Sequence, residues 1–266
     1  MVYRNELSPF VFRLSEQIGL RWYGVAYVFG FFLAYMALRR AIAGPGLPGV
    51  TRENLDRLVA HVIGGVVLGG RLGYVVQNLP TLSKDWLFPV KLWEGGMTFF
   101  GGLLGVVASV LLFCRGKWAS FWSIADALVL PASLALGFGR LANFANAELW
   151  GKPTHSNWGV IYPRVDTLPR HPSELYEAAS HFLLAIALCV LVPKFRLGSR
   201  MATATFLIGY GFLRFLTDFY REEPALIGVL NSGQLASLGV MLIGCLVAVL
   251  GSHGSPRTMR ERSQSS

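Results

Sequence analysis

Apolar residues in this chain are grouped into long runs, and polar residues fill the stretches between them. A helix that crosses a bilayer needs roughly 20 mostly apolar residues, with about 17 as the lower limit. Seven runs are long enough, at about 22–38, 58–79, 97–114, 121–142, 175–192, 201–219 and 232–250. The pattern therefore predicts an all-α integral membrane protein with about seven transmembrane helices, in a single domain spanning 1–251.

Composition supports this class. The 266 residues are 53% hydrophobic and only 15% charged, whereas soluble domains carry about 25% charged residues. The net charge of +9 does not indicate a nucleic-acid partner, because the basic residues lie in short clusters between apolar runs and form no continuous basic face. Anionic membrane lipid is the partner that these clusters favour.

The distribution of arginine and lysine predicts the orientation. Basic residues cluster most tightly beside the spans in the loops near 39–57, 115–117 and 194–200 and in the C-terminal tail. We therefore expect the N-terminus outside and the C-terminus in the cytoplasm. No cleavable signal peptide is evident, so the first span is expected to remain as an anchor.

The predicted orientation places a polar loop domain, about 144–173, on the outer face between the fourth and fifth spans. Its prolines, glycine and asparagine favour a folded lid or short hairpin with a strand near 158–162. The serine- and arginine-rich tail, 252–266, is expected to be disordered. Cys114, Cys189 and Cys245 lack disulfide or zinc spacing and are expected to be buried, inert thiols.

Three arginines lie inside predicted spans, namely Arg71, Arg140 and Arg214. An ionisable residue at membrane depth indicates a functional site by default. The structural alternative is that the arginines pair with acids that also lie within predicted spans, namely Asp126, Glu177 or Asp218. Guanidinium groups bind phosphate through two parallel hydrogen bonds, so arginines that converge near an interface would suit capture of a phospholipid headgroup.

Other chemistry has weaker support in the sequence. Glu174, Glu177 and His181 share a predicted helical face, but a metal site would need ligands from another helix, so we predict no metal. The serines lack the spacing of a nucleophile elbow, and no Walker loop is present. An enzyme of this kind would take its nucleophile from the substrate.

Six segments occur in an order that resembles the prolipoprotein diacylglyceryl transferase family. They are RWYG at 21–24, GRLGY at 70–74, WEGGM at 93–97, GRLANFANAELWG at 139–151, HPSELYE at 171–177, and YG with RF at 210–215 followed by Arg221. No single segment is decisive, but the ordered series is specific and covers most of the chain.

The resemblance implies a reaction in the bacterial inner membrane. A diacylglyceryl group passes from phosphatidylglycerol to the lipobox cysteine in the signal peptide of a prolipoprotein, which forms a thioether and releases glycerol phosphate. This is the first step of lipoprotein maturation, and it requires no cofactor. By the same resemblance, the catalytic residues are Arg140 and Arg214, which would hold the phosphate as charge develops. Residues expected to bind substrate are Tyr23, Arg71, Asn143, Asn146, Glu148, Gly151 and Tyr210.

The chain also departs from the family pattern. Phe100 stands where many members have a histidine that is assigned as the thiol base, and Glu174, Asp218 and Glu222 replace the usual glutamine, glutamate and glutamine. The segment 232–234 lacks the usual methionine. A phenylalanine accepts no proton, so we expect a slower enzyme, or one that uses Asp218, Glu148 or the lipid phosphate instead.

Two alternatives remain open from the sequence. One is a paralogue that shares the phospholipid pocket but uses another acceptor or has no turnover, which Phe100 and the replaced glutamines favour. A transporter or channel would also place charges within the membrane, but no inverted repeat is visible.

Overall fold

A computed structural model describes residues 2–13, 19–83, 85–91, 96–115 and 117–252. Within these residues the chain forms eight α-helices: α1 (Trp22–Ala43), α2 (Arg52–Gln77), α3 (Leu79–Leu82), α4 (Phe99–Cys114), α5 (Trp118–Asn146), α6 (Ser173–Leu191), α7 (Met201–Thr217) and α8 (Ser232–Ser252). Short 3-10 helices cover Phe88–Val90, Val192–Lys194 and Asp218–Tyr220. The predicted disordered tail lies outside the described residues, apart from Ser252.

Each predicted span coincides with one of the described helices, which confirms a mainly helical membrane protein. Within the described part of the chain, five helices are long and apolar enough to cross a bilayer, namely α1, α2, α5, α6 and α8. The other two are shorter, with 16 residues in α4 and 17 in α7. The count of seven spans therefore stays a prediction.

The short strands that the structure describes form three small sheets. β1 (Tyr3–Arg4), β4 (Val160–Ile161) and β5 (Pro169–Arg170) make a three-stranded sheet in the order β1-β4-β5. The pairs β2 (Phe10–Arg13) with β3 (Gly19–Arg21), and β6 (Ala225–Ile227) with β7 (Leu230–Asn231), are antiparallel.

The chain divides into two compact units, one of residues 38–124 and one of residues 1–37 with 125–266. In the 38–124 unit, α2 packs closely against α4. A Cβ added at Gly65 would lie 2.5 Å from the carbonyl oxygen of Gly105. These glycines therefore permit close helix packing, which is the ordinary role of small residues at membrane helix interfaces.

In the other unit, an apolar cluster of Val129, Leu184, Leu188 and Ala202 joins α5, α6 and α7. The segment between α5 and α6 folds over a second cluster, in which Tyr162 is fully buried with Val160 and Ala147. β4 and β5 pair as an antiparallel hairpin. The predicted hairpin and its strand are thus present, although α5 continues to Asn146 and shortens the loop.

The N-terminal segment completes this loop region. The buried Asn5 donates from its backbone nitrogen to the carbonyl of Ile161 and from its side chain to the carbonyl of Phe144. β1 runs parallel to β4 beside these contacts. The three-stranded sheet therefore needs the start of the chain as well as the loop.

The expectation of three buried cysteines is wrong for two of them. Cys114 is buried, but Cys189 and Cys245 are exposed. Both lie on faces of α6 and α8 that the described protein leaves uncovered, as is normal for apolar side chains that face lipid.

Asp126 anchors the start of α7. Its fully buried carboxylate accepts the backbone N–H groups of Gly198, Arg200 and Thr203 at 2.9–3.0 Å, and the Thr203 hydroxyl at 2.7 Å. The first N–H groups of a helix have no partner within the helix, and a carboxylate there is also favoured by the helix dipole. The sequence suggests that Asp126 pairs with an intramembrane arginine, but the described partners of its carboxylate are backbone N–H groups and a hydroxyl at the start of α7.

We expect Asp126→Ala to lower the free energy of unfolding by about 3 kcal/mol or more, because four partly buried donors lose a charged acceptor. The measurement is a denaturant titration in detergent micelles. Asp56→Ala, which removes an exposed acid of α2, is the matched control. An unchanged unfolding midpoint for Asp126→Ala would contradict this role.

Candidate active site

Glu177 is the centre of a cluster of buried charges. It lies in the second turn of α6 and its side chain is only 1% exposed. Its Oε2 is 2.7 Å from Nε of Arg140 and also contacts Nη1 of Arg214. Its Oε1 accepts a hydrogen bond from Nη1 of Arg221 at 3.2 Å. One carboxylate therefore holds three guanidinium groups that come from different parts of the chain.

Asp218 is the second carboxylate of the cluster and is fully buried. It follows Arg214 by one helical turn, and its Oδ1 is 2.9 Å from Nη2 of that arginine and 3.9 Å from Nε of Arg221. Arg221 also reaches Glu223 at 3.0 Å. A Cβ at Gly233 would lie 3.0 Å from Cγ of Asp218, so the absence of a side chain there admits the carboxylate.

Arg140 links this cluster to a more open polar group. It is the most exposed of the three arginines, at 19% of its side chain, and its Nη1 donates to Oδ1 of Asn143 at 3.4 Å. The two residues are three apart on α5 and so share a face. The Asn143 amide in turn contacts the hydroxyl of Tyr23.

Glu148 receives the other hydrogen bonds of this polar group. The Tyr23 hydroxyl donates to its Oε2 at 2.6 Å, and the Asn146 amide donates to its Oε1 at 3.3 Å. Tyr23, Asn143, Asn146 and Glu148, which the sequence singles out, therefore lie together beside Arg140.

The backbone around Glu148 has an unusual conformation. Its neighbours Ala147 and Leu149 have φ values of 56° and 65°, in the left-handed region that costs residues with a side chain roughly 1–2 kcal/mol each. Both are held in place: Ala147 belongs to the apolar cluster under the loop, and the Leu149 carbonyl accepts a hydrogen bond from the Ser173 hydroxyl at 2.7 Å. The surrounding structure thus presents Glu148 at a tight turn after α5.

Gly151 has a structural reason to be glycine. Its N–H donates to the carbonyl of His171 at 2.9 Å, and it bridges to Arg221. A Cβ there would lie 2.7 Å from that carbonyl oxygen and 2.9 Å from Cβ of His171. Gly151 therefore lies where three stretches of backbone approach closely and leave no room for a side chain. Substrate binding by Gly151 stays a prediction.

A second ion-pair group, absent from the sequence-based site, fastens the loop. Arg170 contacts Glu222 and donates to Oδ2 of Asp166 at 2.5 and 3.0 Å, and its guanidinium lies 5.9 Å from the ring of Trp150. The Arg170 guanidinium lowers the pKa of the Asp166 carboxyl below its usual value. Glu222 therefore joins the loop to the segment that follows α7.

Tyr210 lies one turn before Arg214 on α7, and its ring stacks on His181 with centroids 5.5 Å apart. Glu174 accepts a hydrogen bond from the buried Tyr162 hydroxyl at 3.0 Å. Glu174, Glu177 and His181 are thus occupied by other partners, and the described residues contain no group of three or more potential metal ligands.

Arg71 belongs to the other unit and is engaged by the backbone there. Its guanidinium donates to the carbonyls of Pro89 and Gly96 at 3.0 and 3.1 Å and to that of Phe88. These contacts with carbonyl groups give Arg71 a structural role other than the pairing with acids that the sequence suggests, and substrate binding by Arg71 stays a prediction. Phe100, in the first turn of α4, also belongs to this unit and is 62% exposed.

We expect Glu177→Gln to reduce stability by about 3–5 kcal/mol, because removing one partner of a buried ion network leaves the others uncompensated. The free energy of unfolding in detergent micelles tests this. Glu6→Gln, at a carboxylate that is 71% exposed, is the control. Adding Arg221→Gln to Glu177→Gln should recover part of the loss. A Glu177→Gln protein as stable as the control would contradict the central role of this carboxylate.

Comparison with known proteins identifies the family. Residues 9–250 match the family model described as prolipoprotein diacylglyceryl transferase. A protein named phosphatidylglycerol–prolipoprotein diacylglyceryl transferase from Geobacter sulfurreducens is 40% identical over 93% of this chain and 96% of its own length. Proteins of the same name from Bordetella avium and Vibrio atlanticus are 39% and 40% identical, over 95% and 91% of this chain and 97% and 90% of their own lengths. The chain therefore belongs to the prolipoprotein diacylglyceryl transferase family.

Proposed function

We propose that this protein transfers the diacylglyceryl group of phosphatidylglycerol to the lipobox cysteine of a prolipoprotein. Family membership supports the reaction, as do relatives whose names carry both substrates. The observation that carries the assignment to a site is the convergence of Arg140 and Arg214 on Glu177, beside the open polar group at Glu148. Membership in a transferase family argues against the transporter considered from the sequence.

The reaction displaces a phosphate. The cysteine sulfur forms a bond to the terminal glycerol carbon of the diacylglyceryl group, and the bond from that carbon to the phosphate oxygen breaks. The bonding electrons leave with glycerol phosphate, so negative charge grows on the phosphate. Guanidinium groups aimed at that oxygen stabilise the transition state more than the ground state.

The contacts support different tasks for the two catalytic arginines. Arg140 is the more exposed of the two, and its hydrogen bond to Asn143 is long, at 3.4 Å. Its guanidinium is therefore the better placed to bind the phosphate. Arg214 forms ion pairs with both Glu177 and Asp218. Its role is to add positive charge near the phosphate that Arg140 binds. The amides of Asn143 and Asn146, with Tyr23, orient the headgroup and peptide, while Tyr210 lines the same region.

We place the protein in the bacterial inner membrane with its N-terminus outside and its C-terminus in the cytoplasm. Basic residues cluster beside the spans in the loops near 39–57, 115–117 and 194–200 and in the C-terminal tail. Because such loops are usually cytoplasmic, the clusters support this orientation. This orientation puts the segment between α5 and α6, which contains Glu148, on the side where a signal peptide emerges from the membrane.

Arg140→Ala and Arg214→Ala should each reduce transfer by about 10²–10³-fold, the usual loss when one donor to a developing oxyanion is removed. The assay combines purified protein, phosphatidylglycerol and a synthetic lipobox peptide with one cysteine, and mass spectrometry detects the added diacylglyceryl group.

Arg4→Ala, at an arginine with a 60% exposed side chain, should retain full activity, and a cysteine-free peptide should gain no mass. Wild-type protein that modifies no peptide while another family member does so under the same conditions would refute the proposed reaction. The paralogue with another acceptor would then be the better explanation.

The orientation is tested with single cysteines. After the native cysteines are replaced by serine, Ser156→Cys in the hairpin loop should react in intact cells with a reagent that does not cross the membrane. Ser199→Cys, before α7, should react only after the membrane is opened. The reverse pattern would invert the orientation.

A further inference from the structure

The thiol of the acceptor cysteine must lose its proton during transfer, and the carboxylates near Arg140 differ sharply in their ability to take it. Glu177 and Asp218 are 1% and 0% exposed, and both are held by guanidinium groups. Glu222 contacts Arg170, and Glu223 contacts Arg221. Glu174 has a neutral partner, but it is buried against Tyr162.

Glu148 is different from these carboxylates. It is exposed, and the described residues that bond to its side chain are all neutral, namely Tyr23, Asn143 and Asn146. Their three hydrogen bonds compare with about four acceptor positions on a carboxylate. Only the bond from Tyr23 is short, and those from the two amides are 3.4 and 3.3 Å. An acceptor position therefore remains open toward an incoming group.

Two further observations place this carboxylate beside the reaction. Asn143 forms hydrogen bonds with both Glu148 and Arg140. A phosphate bound by Arg140 would therefore be separated from the Glu148 carboxylate only by the side chain of Asn143. The oxygen Oδ1 of Asn146 is buried, and no described group donates to it. Such an atom carries a cost unless it is satisfied, and the backbone N–H of a bound peptide would satisfy it.

We propose that Glu148 is the proton acceptor for the cysteine thiol, an assignment that rests on the proposed transferase function. As the sulfur bonds to the glycerol carbon, the S–H bond breaks and the proton moves to the Glu148 carboxylate, while the phosphate leaves with the electrons of the C–O bond. A carboxylate is a weak base, but the proton on sulfur becomes strongly acidic as the new bond forms, so a weak base suffices in the transition state. Tyr23 keeps the carboxylate oriented through its hydrogen bond.

The test compares two lipobox peptides that differ only in cysteine or selenocysteine at the acceptor position. A selenol is already ionised at neutral pH and needs no proton acceptor. Glu148→Gln keeps the size of the side chain and removes its basicity. It should slow transfer to the cysteine peptide by about 10²–10⁴-fold, as expected for the loss of general base catalysis, and transfer to the selenocysteine peptide by less than tenfold.

Equal slowing with both peptides would overturn the proposal, because Glu148 would then only position the substrates, and so would no slowing with either. Glu6→Gln is the matched control and should not change the ratio of the two rates. If Glu148→Gln does not fold, as judged by its thermal unfolding, Glu148→Asp decides the matter: it should slow the cysteine peptide selectively. Wild-type protein that modifies neither peptide would instead refute the transferase function itself.

Discussion

The site depends on one electrostatic constraint, the burial of Glu177 among three arginines. Arginines that are close together and shielded from water repel one another, and each costs free energy at membrane depth. The Glu177 carboxylate offsets this by contacting Arg140, Arg214 and Arg221 at once. Asp218 and Glu223 supply the remaining negative charge. Because the three arginines come from α5, α7 and the segment after α7, the same interaction also joins these elements.

This arrangement makes the two roles that the sequence suggests for the arginines, phosphate binding and pairing with acids, compatible. Arg140 and Arg214 do pair with acids, as a structural role requires, yet the pairs leave Arg140 partly exposed beside Asn143 and Glu148. A guanidinium that is already oriented by a buried carboxylate needs little rearrangement to meet a phosphate. Preorganisation of this kind is the main source of electrostatic stabilisation in enzymes.

The sequence predicted the elements better than their contacts. Long apolar runs set the positions of the helices, and the cost of charge in a membrane singled out Arg140 and Arg214. The partnership of Arg140 with Glu177 joins two helices, and no local pattern encodes it. The left-handed turn at Ala147 and Leu149 also has no local signal, because neither residue is glycine or asparagine.

The same limit explains Arg71 and Asp126. The glycine-rich segment around Arg71 resembles a family motif, but its guanidinium binds carbonyls of a loop that follows in the chain. The sequence offers Asp126 as a partner for an arginine, but its carboxylate accepts hydrogen bonds from the N–H groups before and at the start of α7. In both cases the residue type indicates a buried charge. The group that pairs with this charge depends on the folded chain and cannot be identified from the residue type.

The most direct test of the central claim is an experimental structure of the protein with phosphatidylglycerol bound. The account predicts that phosphate oxygens lie within hydrogen-bonding distance of Arg140 and that Glu177 still contacts both Arg140 and Arg214. A headgroup bound away from these arginines, or a Glu177 carboxylate displaced from them by the lipid, would contradict it.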